Sequence, residues 1–409
     1  MTDSHSPTPQ GPLSGYRVLE LCSTIAGPVC ARLFADFGAD VIKVEPPEGD
    51  PVRKMGWLDG DVELYAASLF RNKRAAVIDL KTPEGLDLVK RLAATCDVVV
   101  ENFRPGTLER LGLGYDVLSA DNPGLVLVRI SGYGQTGPKS AEPGYGAICE
   151  AYAGVRHLTG DPDRPPARVA LAVTDYLTAV YAAFGACMAL LSRERTGKGQ
   201  VVDTALYETA FSMMEQVVPA YDRLGLVPTR MGSRLQGMAP NSLYLAADDV
   251  YVLIAANNDA TFSRLAGAMG KPELCEDPRF RGILERSKHT DEIDAEVEAW
   301  TRARPGREAV AVLTAAQVPV SLVQRISDIF EEAHYRARDM LVRLPHPRGG
   351  EVTVPGVTPK LSATPGALRH AGPTLGADTR GVLEEVLGLS ADEVTALEAR
   401  GVLGGRRGG

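Results

Sequence analysis

The chain has 409 residues, 44% hydrophobic and 23% charged, with a formal net charge of -8. That length is too great for one simple core and points to two domains, while the acidic balance argues against a nucleic-acid binder, which carries a basic face. No apolar run reaches the length that spans a bilayer, and the opening MTDSHSPTPQGPLSG lacks the regions of a signal peptide, so residues 1–14 read as a disordered polar tail on a cytoplasmic protein.

YRVLEL, Tyr16 to Leu21, reads as a strand. GPVCARLFADFG follows as a helix, with Pro28 expected at its first position and Gly38 just past its end, and ADVIKVE returns as a strand. Strand–helix–strand demands a parallel pair with a right-handed crossover. The pattern repeats through AAVIDL, the helix TPEGLDLVKRLAATC and DVVVENF, then through TLERLG to LVLVRISG. Four or more such strands predict an α/β, doubly wound sheet.

A long helix follows Asp175, with Leu177, Val180, Tyr181, Phe184, Met188 and Leu191 at helical spacing and Ala and Gly filling much of the remainder, so that other elements can approach closely. Arg193, Arg195 and Gly197 mark its end. The character changes after about Tyr221, where residues 222–241 read as a linker rich in Gly, Pro and Arg. SLYLAADDVYVLIAA predicts a hairpin around Asp248 and Asp249, and helical patterns follow, giving an α+β second domain over residues 242–340. Residues 341–403 hold a Pro- and Gly-loaded stretch, Leu344 to Thr379, and then two closing helices, TRGVLEEVLG and ADEVTALEARG. That stretch is too long for an ordinary loop and reads as a strap running over the surface. Residues 404–409 are expected to be disordered.

The six cysteines lie far apart without C-x-x-C and read as reduced core residues; the six histidines show no ligand spacing, so no metal is expected. GYGQTGPKS, Gly132 to Ser140, nearly spells a P-loop, but Pro138 stands between the last Gly and Lys139 and removes a backbone donor. Basic residues cluster in RNKR, Arg71 to Arg74, and in ENFRPG, Glu101 to Gly106. The second cluster follows a parallel strand, where doubly wound folds bind ligands, and Asn102, Phe103 and Arg104 offer an amide, a stacking face and a phosphate partner. Asp175 falls at or beside the expected N-cap. A cap alone would account for it, since Asp is preferred there; a carboxylate kept ionised by the helix end is also able to attack an activated carbonyl.

In order, ELCSTIAGPVCARLFADFGADVIKVEPPEGDPVR, RNKRAAVIDLKTPEG, DVVVENFRPGTLERLG, ISGYGQTGP, PGYGAICEAYAG and VTDYLTAVYAAFGA with RTGKGQVVD closely resemble the family III CoA-transferases. That family includes formyl-CoA and carnitine CoA-transferases and 2-methylacyl-CoA racemases, and the resemblance runs from about residue 11 to 403. It implies an interlocked homodimer in which residues 15–221 and 341–403 form a Rossmann-like, CoA-binding large domain and the middle a smaller one. It implies coenzyme A as substrate, with no metal, nucleic acid or membrane partner. The family nucleophile matches Asp175, and the CoA-contacting positions match Ile25, Ala26, Ile78 to Lys81, Asn102, Phe103, Arg104, Arg110 and Tyr145.

Three departures bear on the substrate. Ile25 and Pro46 stand where formyl-CoA transferases have Gln and Arg, and RLQGMAPNS lacks their glycine run, so formyl-CoA and oxalate are not the expected pair. Racemases place a catalytic His within GHD, where this chain has Gly144, Tyr145 and Gly146. Many members carry an acidic residue at the position of Gly146. The resemblance therefore implies a transferase moving CoA from an acyl-CoA to a small carboxylic acid, with a racemase or epimerase and a non-catalytic CoA-binding protein as alternatives.

Overall fold

The computed structural model of the protein describes residues 11–404; the expected tails at 1–10 and 405–409 lie outside the described residues. Contacts divide the chain into two units, one of residues 11–155, 170–216 and 333–404, the other of 156–169 and 217–332. The chain thus breaks at 216/217 and 332/333 rather than at 221 and 340, and a short segment, Arg156–Val169, also joins the second unit. Residues 217–224 of that unit form a helix, Val217–Leu224, which overlaps the expected linker.

The larger unit is built on six parallel strands: β1 (Arg17–Leu21), β2 (Asp40–Glu45), β3 (Arg74–Val77), β4 (Val98–Glu101), β5 (Val126–Ser131) and β6 (Val201–Ala205). Their order across the sheet is β3-β2-β1-β4-β5-β6, with Val18 opposite both Val41 and Val98, and Leu127 opposite Val201. The direction of winding reverses between β1 and β4, which opens a crevice at their carboxyl ends. Successive residues of one strand face opposite cores. Val98, Val100, Val126 and Val128 pack with helices α1 (Ala26–Asp36) and the long helix at 173–196. Val99, Leu125 and Leu127 pack on the other side with the helix Pro83–Ala94 and with Val382, Leu383, Val394 and Leu397 of the two closing helices. Both faces being covered explains the largely apolar runs VVVE and VLVRIS.

Helix α1 begins at Ala26, so Pro28 occupies its third position rather than its first. Helix α2 (Leu64–Leu69) leads into β3. The stretch read as a strap begins with a hairpin, Leu341–Pro345 paired with Glu351–Pro355, that the Pro and Gly content masked. Leu344, Val352 and Val354 pack on Ala67 of α2. The chain then runs along the same unit, with Ala367 N donating to Asp36 O, Gly372 N to Ala67 O and Asp378 N to Ala75 O. Side chains of Asp378 and Thr379 accept from Ala75 N and Val77 N and so cap the outer edge of β3.

The sheet of the smaller unit pairs Asn241–Leu245, Tyr251–Ala255 and Val320–Leu322, all antiparallel. Its hairpin turns at Asp249, whose φ is 59°.

The helix that follows Ala172 runs Val173–Thr196, 24 residues, and is long and apolar enough by composition to cross a membrane, contrary to the expectation from sequence. Its face toward the core consists of Thr174, Thr178, Ala179, Ala182, Ala186, Ala189 and Leu190. The large residues at helical spacing face outward: Val180, Tyr181, Phe184, Met188 and Leu191 are 44% to 60% exposed. Small residues bring the helix close to α1 and the sheet, so its large side chains are left on the far side.

Candidate active site

The loop after β1 is fixed from three directions. Asn102, just past β4, accepts from Ser23 N at 2.9 Å and donates to Ser23 O at 2.8 Å. Its amide therefore ties the two loops flanking the crevice. Asp50 accepts from Thr24 N at 3.1 Å, holding Thr24 in the left-handed region at φ 68°. The Lys43 ammonium donates to Cys22 O, Asp50 and Glu20, all within 2.9 Å.

Lys43 belongs to a buried chain of charges. Glu20 receives both Lys43 and Lys73, Glu45 receives Arg53, and the rings of charge surround Phe70, with Lys43 4.6 Å, Arg53 5.2 Å and Lys73 5.4 Å from its centroid. Burial opposes the Lys43 charge, yet Glu20, Asp50 and Glu45 together raise its pKa above the ordinary lysine value. For Lys73 burial wins and the pKa falls, although Glu20 opposes it. The basic RNKR cluster lies at the amino end of β3, and Arg71, Lys73 and Arg74 pair with Asp36, Glu20 and Asp40.

The remaining positions line the carboxyl ends of the strands. Ile25 is the N-cap residue of α1 and Ala26 its first residue. Ile78 is buried directly after β3, and the Lys81 side chain is exposed, 3.9 Å from Glu48. Phe103 packs partly into the core, and its N–H donates to Glu101. Arg104 is exposed, and Arg110 bonds Thr107. Tyr145, 73% exposed, is the N-cap residue of the helix Gly146–Tyr152.

GYGQTGP, after β5, does not form a phosphate cradle. Gly134 N donates to Ser131 and Gln135 N to the carboxylate of Asp203, which would repel an anion. The loop instead presses on PGYG: a Cβ on Gly132 would lie 2.7 Å from Gly144 Cα. Cys149 and Tyr207 both donate to Gly132 O.

This packing delivers the backbone of Gly146 against Asp175. A Cβ at position 146 would lie 2.1 Å from Asp175 Oδ2 and 2.8 Å from its Cγ. An acidic side chain cannot stand there while Asp175 holds this position, which accounts physically for the glycine. Asp175 itself is half-buried in the first turn of the helix Val173–Thr196, whose N-cap is Ala172. It is not the cap residue, contrary to the expectation from sequence. The turn is anchored by Thr178, whose hydroxyl bonds Thr174 O at 2.7 Å and Thr209 Oγ1 at 2.6 Å. Burial first, and the Asp175 charge second, push the nearby Cys149 thiol up to about 11, so it stays protonated at neutral pH. Cys22, Cys30 and Cys96 are likewise buried thiols, and all six cysteines are free.

Sequence reasoning missed Lys43 and Asp50, and it noted Gly146 as a departure from the family without its contact with Asp175. The first two left a faint signal, charged residues within or beside a buried strand; the Gly146–Asp175 contact needed the fold.

The family described as CoA-transferase family III matches residues 13–379. The chain is 44% identical over 401 residues to the succinyl-CoA–D-citramalate CoA-transferase of Chloroflexus aurantiacus, covering 97% of this chain and 100% of that protein. It is 40% identical over 398 residues to the succinyl-CoA–L-malate CoA-transferase beta subunit of the same organism, covering 96% and 98%. A crystal structure of a CAIB/BAIF family protein from Brucella suis superposes with a TM-score of 0.82 at 34% identity, covering 92% of this chain and 100% of that one. The strand order, the crevice between β1 and β4 and the carboxylate opposite a bare glycine thus belong to a member of CoA-transferase family III.

Proposed function

We propose that the protein moves CoA from a dicarboxylic acyl-CoA to a dicarboxylic acid through an aspartyl-CoA thioester on Asp175. The Asp175 carboxylate attacks the donor thioester, giving a mixed anhydride and CoA thiolate. The thiolate attacks the aspartyl carbonyl, forming the aspartyl-CoA thioester and releasing the donor acid. The acceptor carboxylate then attacks, and the same two steps run backwards to yield the new acyl-CoA and free Asp175. Each step exchanges bonds of similar energy, so no ATP is consumed. The substrate class rests on the succinate, citramalate and malate in the relatives' names.

The observation that carries this reading is the position of Asp175. It lies inside the first helical turn rather than at the cap, half-buried and against a residue without a side chain. Capping does not explain it, whereas the positive helix end favours its ionised form. CoA is read along the carboxyl ends of β3, β1 and β4, past Ile78, Lys81, Ile25, Ala26, Phe103, Arg104 and Arg110 to Tyr145, with Asn102 bracing the loop. Racemization lacks its proton relay here, since Tyr145 and Gly146 replace a His–Asp pair.

Asp175→Asn is expected to slow transfer by roughly 10⁴-fold or more while the protein stays folded, the scale on which losing a covalent nucleophile acts. Wild-type protein given succinyl-CoA and then hydroxylamine is expected to acquire a hydroxamate on the peptide bearing Asp175, read by mass spectrometry. A fully active Asp175→Asn protein, checked for deamidation, overturns the mechanism.

The homodimer, interlocked and cytoplasmic, is part of the same proposal. The outward stripe of Val180, Tyr181, Phe184, Met188 and Leu191 is the surface a second copy would cover. Light scattering at micromolar concentration should give twice the chain mass; a stable monomer contradicts it.

A further inference from the structure

Arg32 lies on α1, and its guanidinium carbon stands 5.9 Å from the centroid of the Tyr176 ring, the residue after Asp175. Its side chain is 13% exposed, and its one ion pair, with Asp36, is long at 3.9 Å. The nearest carboxylate, Asp36, is held bidentately by Arg71 at 3.1 and 2.7 Å and accepts Asn72 Nδ2 at 2.8 Å. Arg32 Nε comes only to 3.9 Å of it. Arg369, bonded to Ala35 O and Asn72 O, adds a third guanidinium to the same corner. Three cations thus surround one carboxylate. Among the described residues, Arg32 Nε and Arg71 Nη1 are buried without a hydrogen-bond partner. Uncompensated buried charge is costly, so such an excess is retained where an anion arrives to use it. The Tyr65 hydroxyl has Tyr176, Asp175 and Arg32 among its electrostatic neighbours, so the cation and the carboxylate both lie near one tyrosine.

We propose that Arg32 binds the second carboxylate of a dicarboxylic substrate while the first reacts at Asp175, with Arg71 and Asp36 as positioning residues behind it. The proposal rests on the reading of Asp175 as nucleophile. It gives a way to select acids carrying two carboxylates: the far one meets a guanidinium whose only other anion is Asp36 at 3.9 Å, and a monocarboxylate leaves that guanidinium without a hydrogen-bonded anion.

The test compares succinate with butyrate, which has the same chain length and one carboxylate. Calorimetry on the wild-type protein should show succinate binding tighter by roughly tenfold to hundredfold, the scale of a charge-assisted hydrogen bond. Equal affinities overturn the proposal without any variant. Arg32→Gln should abolish that difference and lower kcat/KM for succinyl-CoA by a similar factor, leaving the affinity for free CoA, read by calorimetry, near wild type. Arg32→Lys should recover part of the discrimination. A loss equal for both acids, or dissociation of the oligomer on light scattering, assigns Arg32 to general structure or to an acidic group of a second copy and overturns the proposal. Absence of any CoA transfer by the wild-type protein would refute the functional reading instead, and leaves the succinate–butyrate comparison to decide on Arg32.

Discussion

Around the loop after β1, the backbone of Cys22, Ser23 and Thr24 is taken up by side chains from other elements: Asn102 on one side, Asp50 and Lys43 on the other. Around Asp175 the defining contact is with Gly146, a residue that has no side chain to offer. One region is positioned by buried charge, the other by missing atoms. Charge that has been taken out of water must be balanced, so a change in the first region is felt as stability. Missing atoms cost the fold little to fill, so a change in the second is felt as misplaced chemistry.

The largest effect is expected from Lys43→Met. It leaves Asp50 without its buried partner and Glu20 with only Lys73, and removing one member of a buried ion pair costs about 3–5 kcal/mol. Urea unfolding should show that loss; a variant as stable as wild type means the network does not hold the loop. Next comes Gly146→Ala. The new Cβ must push Asp175 aside, and a displacement of about 1 Å at a reacting group costs roughly 10²-fold in rate. Turnover should fall by that order while the unfolding midpoint barely moves. An equal loss of stability would erase the contrast between the two regions.

The smallest effect sharpens the picture of the Asp175 pocket. Cys149 titrates at about 11 because of burial and then the Asp175 charge, both of which disfavour the thiolate. Alkylation of Cys149 should therefore be slow at pH 8 and rise with a midpoint near 11. In Asp175→Asn the second cause vanishes, the pKa falls, and the pH–rate curve shifts to lower pH. An unshifted curve would mean that the carboxylate does not face the thiol.

The parallel sheet was legible because its strands, such as VVVE and VLVRIS, are short, largely apolar runs separated by helices with clear starts and stops. Thr82 and Pro83 open the helix before β4 as their chemistry predicts, with Thr82 capping Gly85 N. The long helix after Ala172 was legible as a helix but not as to its inner face. Periodicity alone could not say that its alanines, rather than Phe184 and Leu191, approach the sheet, because that depends on how near the neighbouring α1 comes. Asp175 stood out as an isolated carboxylate, but its place within the turn depended on the helix starting at Val173. The hairpin at 341–355 was hidden because its prolines sit at the strand ends, where they cost no ladder bonds, while composition reads them as breakers.

The cap on β3 has a consequence for how the chain is made. Ala75 and Val77 present their edge N–H groups to Asp378 and Thr379, about three hundred residues downstream. At roughly 5–20 residues per second a ribosome needs about 15–60 s to deliver them. For that interval the sheet has an open border, the kind of template on which nascent strands from neighbouring polysomes join. The segment that closes it arrives after all of the second unit has been synthesised. Slow translation near the 3′ end of the message, or truncation before Asp378, should therefore cost this protein more in yield than the loss of a few terminal residues would suggest.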